Sequence, residues 1–556
     1  MSVFIGYPSF MAYQMMKGKK DNNDGFPSIP GTIARYSALG LTNEEMSKNP
    51  VWVDKTGNGH DLQMKNFAWG GMSGVGGYSD NFSSDSWKKP SDRSDITWTS
   101  SSFNITRVMN TGVQIYYFSA WEESESVIPE KRIIVKGLED GQVLRYMNVG
   151  NRIIEISQDG IYTIPSFTFK GANSYHGYSL AKKQESCNVT VEQLPLYPGA
   201  LVFDGVDDYG VCGNFPILTK EKGYTVVALR RYLSNKVDKV YSLVTNAPSA
   251  IVSRSTITFE LIGNDKTKTN FSFGRGNPVI DFEPNVFSYM TSKSYNGKII
   301  TPGDYTEHQK RLLVGNFSES GRYGCNVAIW ELVFLDHDAT EEELTKIKDY
   351  FVKTYPWLFP DQAWTVVGKT NEDEDRATIA NITGNGNNLV LSNFGFAEGS
   401  GYNEEGEYAG YLVTDGVDDK IISSIFKMGN DWTVIGDWEL INTGKNDNAG
   451  IVKFDSIVIY NYNYNYNSML INIKNGRNIL IPDQNTVNAI CSDGRIYSKD
   501  WKESIYNEET ESTSKNFFSG NIYTKIAFKN LAIYPTVLSR EDCIKAYNYL
   551  QTLKAK

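Results

Sequence analysis

The sequence predicts an all-β protein in which one sandwich domain is used twice and a further β-sandwich interrupts the first use. Three observations predict it. Glycine at 48, tyrosine at 34 and phenylalanine at 27 of 556 residues favour pleated strands and tight turns over helices. Short runs rich in Val, Ile, Tyr and Phe are separated by Gly, Asn and Asp turns. Four stretches then recur in one order, which is the mark of a duplicated domain.

Residues 1–30 read as an arm and linker. MSVFIGYPSFMAYQMM carries Phe4, Ile5, Tyr7, Phe10, Met11, Tyr13, Met15 and Met16 ahead of polar KGKKDNNDG. Such an arm cannot form a core alone, so it docks on the first sandwich or on a partner, and adaptable methionines suit either contact.

The first sandwich is expected over 31–79 plus 197–358, and the second over 359–556. LGLTNEE (39–45) matches VGKTNED (367–373), and TGNGHDLQMKNFAW (56–69) matches TGNGNNLVLSNFGF (383–396) at seven of fourteen positions. DGVDD occurs at 204–208 and at 415–419, and the stretch 326–351 pairs with 525–550. Thr56 precedes Asp204 by 148 residues, whereas Thr383 precedes Asp415 by 32. The other intervals nearly agree, so the surplus of about 116 residues is read as a domain inserted into a loop, over 80–196. Its runs VQIYYFSAW, KRIIVKGL, RIIEIS, GIYTIPSFTF and CNVTVEQLP, spaced by Gly and Asn, predict an immunoglobulin-like β-sandwich.

Each copy ends differently from how it begins. A strand (VAIWELVFL, then IAFKNLAIY) runs into Thr340 or Ser539, with Glu343 or Asp542 three positions later, a capping-box spacing. The helix that follows buries Leu344, Ile347 and Phe351 in the first copy, and Cys543, Ala546 and Leu550 in the second.

Composition excludes several functions. The net charge is −10 with no basic block, which argues against nucleic acid or anionic lipid as partner. No run approaches the roughly 18 apolar residues of a membrane-spanning helix. The start lacks a basic segment followed by an apolar run, so a cytoplasmic site of synthesis is expected. Cys187, Cys212, Cys325, Cys491 and Cys543 are odd in number and form no CxxC, which points to buried small hydrophobes. His60, His176, His308 and His337 stand apart without metal-ligand spacing, and no GxSxG elbow, Walker loop or ExDxxE string is found.

LVFDGVDDYGVC (201–212), LVTDGVDDKI (412–421) and the closing segments 328–344 and 527–543 resemble the laminin-G-like, concanavalin A-like jelly roll, over roughly 330 residues. The resemblance implies two jelly rolls, the first interrupted by the immunoglobulin-like module. The wording of the leading segments together with that insert is similar to virion surface proteins of crAss-like phages. This implies a non-enzymatic head fibre, decoration or tail fibre component. Its expected partners are other virion proteins met through the arm, further copies of the chain, and glycans. The alternative is a bacterial carbohydrate-binding surface protein.

Two candidate sites remain. In DGVDD, Asp204, Asp207 and Asp208, and likewise Asp415, Asp418 and Asp419, either bond the turn's own amides, with Gly205 and Gly416 supplying permissive backbone, or ligate calcium. No other cofactor is expected. In YNYNYNYN, strand alternation places Tyr460, Tyr462, Tyr464 and Tyr466 on one face, to pack on the sheet or a neighbouring subunit or to stack on sugar rings.

Overall fold

The computed structural model describes residues 24–88, 95–108, 112–119, 126–148, 151–169, 174–181, 186–219, 221–233, 241–245, 258–262, 286–299, 310–316, 324–423, 429–441, 449–454, 457–462, 468–473, 477–481, 487–499, 501–505 and 525–555. They form two compact units. One lies within 1–77, 199–282 and 286–354; the other lies within 78–198 and 355–556. The fold is all-β, with every described strand pair antiparallel.

The first unit is a sandwich of two sheets. Its long strand Asn326–Leu335 is apolar on both faces except at Asn326 and Glu331, whose buried carboxylate pairs with Arg35 at 3.1 Å, and it is almost wholly buried, as a central strand covered from both sides must be. Thr225–Tyr232 pairs along one edge of it, while Thr32–Ser37 and Leu201–Asp204 share the other edge end to end. Outer strands Phe287–Thr291, Ser294–Tyr295, Lys298–Ile299 and Gly74–Val75 complete eight. Six strands face them, among them Leu62–Lys65 and Tyr209–Cys212. Leu62–Lys65 alternates buried and exposed, so Leu62 and Met64 enter the core with Trp52, Phe203, Val226, Ile329 and Phe334.

Helix α1 (Asn43–Lys48) was not foreseen, although its box was in LTNEE: Thr42 Oγ1 accepts from Glu45 N and donates to its carboxylate. Helix α2 (Glu341–Thr354) begins as expected. Glu343 N donates to Thr340 Oγ1 at 3.3 Å, Thr340 N donates to Glu343 Oε2 at 2.9 Å, and Leu344, Ile347, Tyr350 and Phe351 are buried. The end of the expected arm also docks here. Arg35 binds both oxygens of Asp24, and its guanidinium lies 4.3 Å from the Phe26 ring centroid. The apolar residues Phe4 to Met16 lie outside the described residues.

The second unit contains an eight-stranded sheet of the same plan. Ile526–Tyr534 takes the central place, with Thr433–Leu440 on one side and Gln362–Thr365 and Leu412–Val413 on the other. Even the bulge recurs: the register slips between Leu229 and Arg230 in the first copy, and between Asp437 and Trp438, the matching residues, in the second. Thr225 Oγ1 and Thr433 Oγ1 each brace the corner before the closing helix, donating to His337 O and Thr536 O. Helix α3 (Arg540–Gln551) is capped by Ser539, which accepts from Asp542 N at 3.1 Å. The facing side differs, being divided into a three-stranded and a four-stranded sheet.

Residues 87–193 form a sandwich of their own within this unit. Two five-stranded sheets enclose Phe82, Phe103, Ile115, Ile133, Val135, Tyr146, Tyr178 and Val191. It packs on the second jelly roll. Arg132 is buried over the ring of Tyr547, with its centre 4.5 Å from that ring, and donates to Asn548 Oδ1; Lys529 joins Glu130 at 3.3 Å and Asp437 at 3.8 Å.

Candidate functional site

The DGVDD turn and the end of the TGNG segment meet in space, and they do so twice. In the first copy the strand Leu62–Lys65 ends at Asn66, whose φ of 69° turns the chain away from the ladder. Asn66 Nδ2 then donates to Asp207 O at 3.1 Å, joining that bend to the acidic turn. Phe67 and Trp69 follow, stacked with centroids 4.7 Å apart at 17°. Both rings are half-buried, and Phe67 also packs edge-on against Phe203, which precedes the turn. Trp69 holds φ at 51°, an uncommon conformation for a bulky residue, and the close turn back to Ser73 maintains it.

Within the turn, Val206 N donates to Asp204 Oδ1 at 2.7 Å and Asp204 N donates to Asp208 Oδ2 at 3.0 Å. Ser73 Oγ donates to Asp208 Oδ1 at 3.0 Å. Gly205 has φ of 78°, and a Cβ there would come within 2.7 Å of Asn326 Cβ, so glycine is required on two counts. Asp208 is fully buried; loss of hydration, then the neighbouring Asp204 charge, pushes its carboxyl up to about 8.

The second copy repeats the main-chain part of this arrangement. Asn393 has φ of 70° and donates to Asp418 O at 3.0 Å, and Phe396 occupies the place of Trp69 with φ of 49°. Asp415 N donates to Asp419 Oδ2 at 2.8 Å, and Val417 N donates to Asp415 Oδ1 at 2.7 Å. Phe396 lies parallel to Tyr402 and under Arg376, whose guanidinium centre is 5.2 Å from the ring. Burial also raises the Asp419 carboxyl. At the tip of each turn a valine, Val206 or Val417, is about two-thirds exposed (65% and 66%).

Asp204, Asp207 and Asp208 bring carboxylate oxygens within 4.8 Å of one another, as do Asp415, Asp418 and Asp419. The donor set fits calcium poorly: three oxygens of the first cluster already accept from Val206 N, Asp204 N and Ser73 Oγ, whereas the ion takes six to eight oxygens. Tyr460 and Tyr462 fall in the strand Ile457–Tyr462, paired on both sides, with Tyr460 opposite Gly450 and Leu470. Tyr464, Tyr466 and His308 lie outside the described residues. All five cysteines are buried, and none is in a disulfide.

Reading the sequence alone singled out the acidic turn and passed over the rings beside it. The signal was present: Asn and aromatic residues recur at equal offsets in KNFAW and SNFGF.

No family model matches the chain, and no curated protein matches it. Among solved structures it is similar to Trypanosoma rangeli sialidase (8% identity, 47% of this chain, 62% of that one, TM-score 0.21). It is also similar to the receptor-binding domain of botulinum neurotoxin mosaic serotype C/D (10% identity, 62% and 90% covered, TM-score 0.23). A third is the CBM22 tandem from Paenibacillus barcinonensis (10% identity, 49% and 99% covered, TM-score 0.14). The chain thus spans about three fifths of the sialidase's length. With every TM-score this low, the overlaps carry no inference about what the chain does.

Proposed function

We propose that the chain is a non-enzymatic structural component of a tailed-phage particle, a head fibre, decoration or tail fibre protein, that binds glycans through its two ring-and-turn clusters. One observation carries the binding part: each copy builds a half-exposed aromatic ring, held in left-handed backbone, beside an acidic, amide-bearing turn. Sugar rings offer C–H faces to an aromatic and hydroxyls to carboxylates and amides, so this pairing suits them. The non-enzymatic part is supported by Asp208. Its raised pKa would suit a general acid, but it is fully buried and both its oxygens are engaged, so it cannot reach a glycosidic oxygen. The virion part is supported by the wording of the repeat and its insert. On this reading the arm binds other virion proteins, the chain assembles with copies of itself, and it resides in the particle.

A glycan array probed with the intact chain tests the binding. Trp69→Ala with Phe396→Ala should lower retention on the best glycan tenfold or more, since each lost stacking contact costs about 1 kcal/mol. Unchanged retention refutes the assignment. Mass spectrometry of purified particles separates the virion reading from a bacterial carbohydrate-binding surface protein: detection only in bacterial membranes favours the latter.

A further inference from the structure

The inserted sandwich buries a lysine against an acid. Lys131 opens the strand Lys131–Lys136, where it pairs with Ile164, and its side chain is 2% exposed. Its Nζ donates to both oxygens of Asp80, each at 2.7 Å, and the Asp80 side chain is 10% exposed. Asp80 stands in the segment that leads into the insert, and its main chain is clamped at both polar groups. Asp80 N donates to Gln193 Oε1 at 2.9 Å, and Gln193 Nε2 donates to Asp80 O at 3.0 Å. Both partners are therefore held from the backbone up.

The surroundings are aromatic. The buried rings of Trp87 and Tyr146 have their centroids 5.9 and 5.4 Å from Nζ. The Tyr146 hydroxyl also reaches the nitrogen, accepting from Nζ at 3.2 Å, and a 2.6 Å hydrogen bond to His176 Nδ1 holds it there. An ion pair taken out of water carries the desolvation cost of two charges, which a neutral product would not carry. A nitrogen that bonds both oxygens of a carboxyl group also sits about 3 Å from its carbon, the separation at which a fixed pair reacts as though highly concentrated.

We propose that Asp80 and Lys131 form a self-made amide cross-link, an isopeptide bond between the entry segment of the insert and its strand Lys131–Lys136. One proton passes from Nζ to an Asp80 oxygen, giving a neutral amine and a neutral acid. The nitrogen lone pair then attacks Cγ. The second proton leaves Nζ by way of the Tyr146 hydroxyl and reaches the departing hydroxyl of Asp80, the C–O bond breaks, and water leaves. One amine and one carboxylic acid thus give one amide and one water. No reagent has to enter, and only water has to leave. The bond closes a loop from 80 to 131 and restricts the unfolded chain as a disulfide of the same span would. A pull on the entry segment is then borne by a covalent bond as well as by the strand ladder. This site stands independently of the glycan reading.

The test is the mass of the intact full chain after denaturation. It should be lighter than its sequence by one water, and peptide mapping should recover a branched peptide joining Asp80 to Lys131. Lys131→Met should keep its full mass. Made in a cell-free extract, Tyr146→Phe should acquire the bond about a hundredfold more slowly than the parent, while hydrogen exchange shows its insert folded. A folded parent that keeps its full mass through prolonged incubation, a loss of water mapped to any other pair, or a loss that persists in Lys131→Met overturns the proposal. Equal rates in the parent and Tyr146→Phe overturn the proton path.

Discussion

His176 should make the inserted sandwich acid-sensitive. Its ring is buried between Trp87, Phe167 and Tyr146, and its Nδ1 shares a hydrogen bond of 2.6 Å with the Tyr146 hydroxyl. Burial, then the nearby Lys131 charge, lowers its pKa from 6.5 to about 3. Because the folded value is depressed, neutral His176 contributes stability that is fully present above the unfolded pKa of 6.5 and is lost as pH falls from there towards 3. At pH 5 the unfolded ring is mostly protonated and the folded ring is not, so about 1.5 pH units of linkage, roughly 2 kcal/mol, are lost relative to pH 8. Hydrogen exchange read by mass spectrometry on the strands Lys131–Lys136, Leu144–Asn148 and Ser174–Ala181 reports this domain alone. Protection should fall about thirtyfold beyond the chemical pH effect in the parent and hardly at all in His176→Gln. Equal pH slopes in the two proteins would refute the reasoning.

Other perturbations follow from the same contacts. Lys131 is 2% exposed and bonded to both oxygens of Asp80 at 2.7 Å, so Asp80→Ala strands a buried cation and should cost about 3–5 kcal/mol in chemical denaturation. Gly205→Ala should destabilise more than Gly416→Ala in thermal melts, because the nearest atom to the new Cβ lies at 2.7 Å in the first case and 3.2 Å in the second. Asp208→Asn keeps a turn acceptor and removes a buried acid, so it should leave the melting temperature at pH 8 unchanged or raised; a calcium-dependent rise in the parent that this variant abolishes would instead favour the metal reading. Asn548→Leu should cost about 3 kcal/mol, since it removes the acceptor from the buried Arg132, whereas Arg132→Leu should cost less; the reverse order in urea melts would refute the account of that contact.

The duplicated frame was legible because side chains that bind backbone are fixed in type and offset. Thr56 and Thr383 bond Asp54 and Asn381, Asn58 and Asn385 reach back to carbonyls of the first strand or its entry, and Asn43 and Asn371 each clamp a residue of an edge strand, Val75 and Tyr402. None tolerates free substitution, so the words survived in both copies. The central strand Asn326–Leu335 is held mostly by burial, which any apolar residue satisfies, and its match to the strand Ile526–Tyr534 is correspondingly faint. The ring beside the turn escaped notice for another reason. Its left-handed backbone at Trp69 and Phe396 is imposed by the bridge to Ser73 or Ser400, and propensity assigns no such conformation to an aromatic residue. Helix α1 was missed because six residues carry too little periodicity, although Thr42 and Glu45 spelled its cap.

Sequence order placed the inserted sandwich in the first copy, yet its contacts attach it to the second. Arg132 is taken out of water against Tyr547, Trp501 and Asn548, and burial lowers its pKa, so the contact works against ionisation as well as satisfying it. Such a buried charge favours one alignment of the two surfaces, because Asn548 and the rings of Tyr547 and Trp501 must all meet the guanidinium. Lys529 adds to this by serving two acids at once, Glu130 from the insert and Asp437 from the jelly roll, and Asp437 in turn accepts from Tyr411 at 3.0 Å. The insert is therefore tied by chain to one copy and by a buried polar network to the other. Its removal should expose Tyr547 and leave Lys529 with half its counter-charge, so the second jelly roll depends on a domain that interrupts the first.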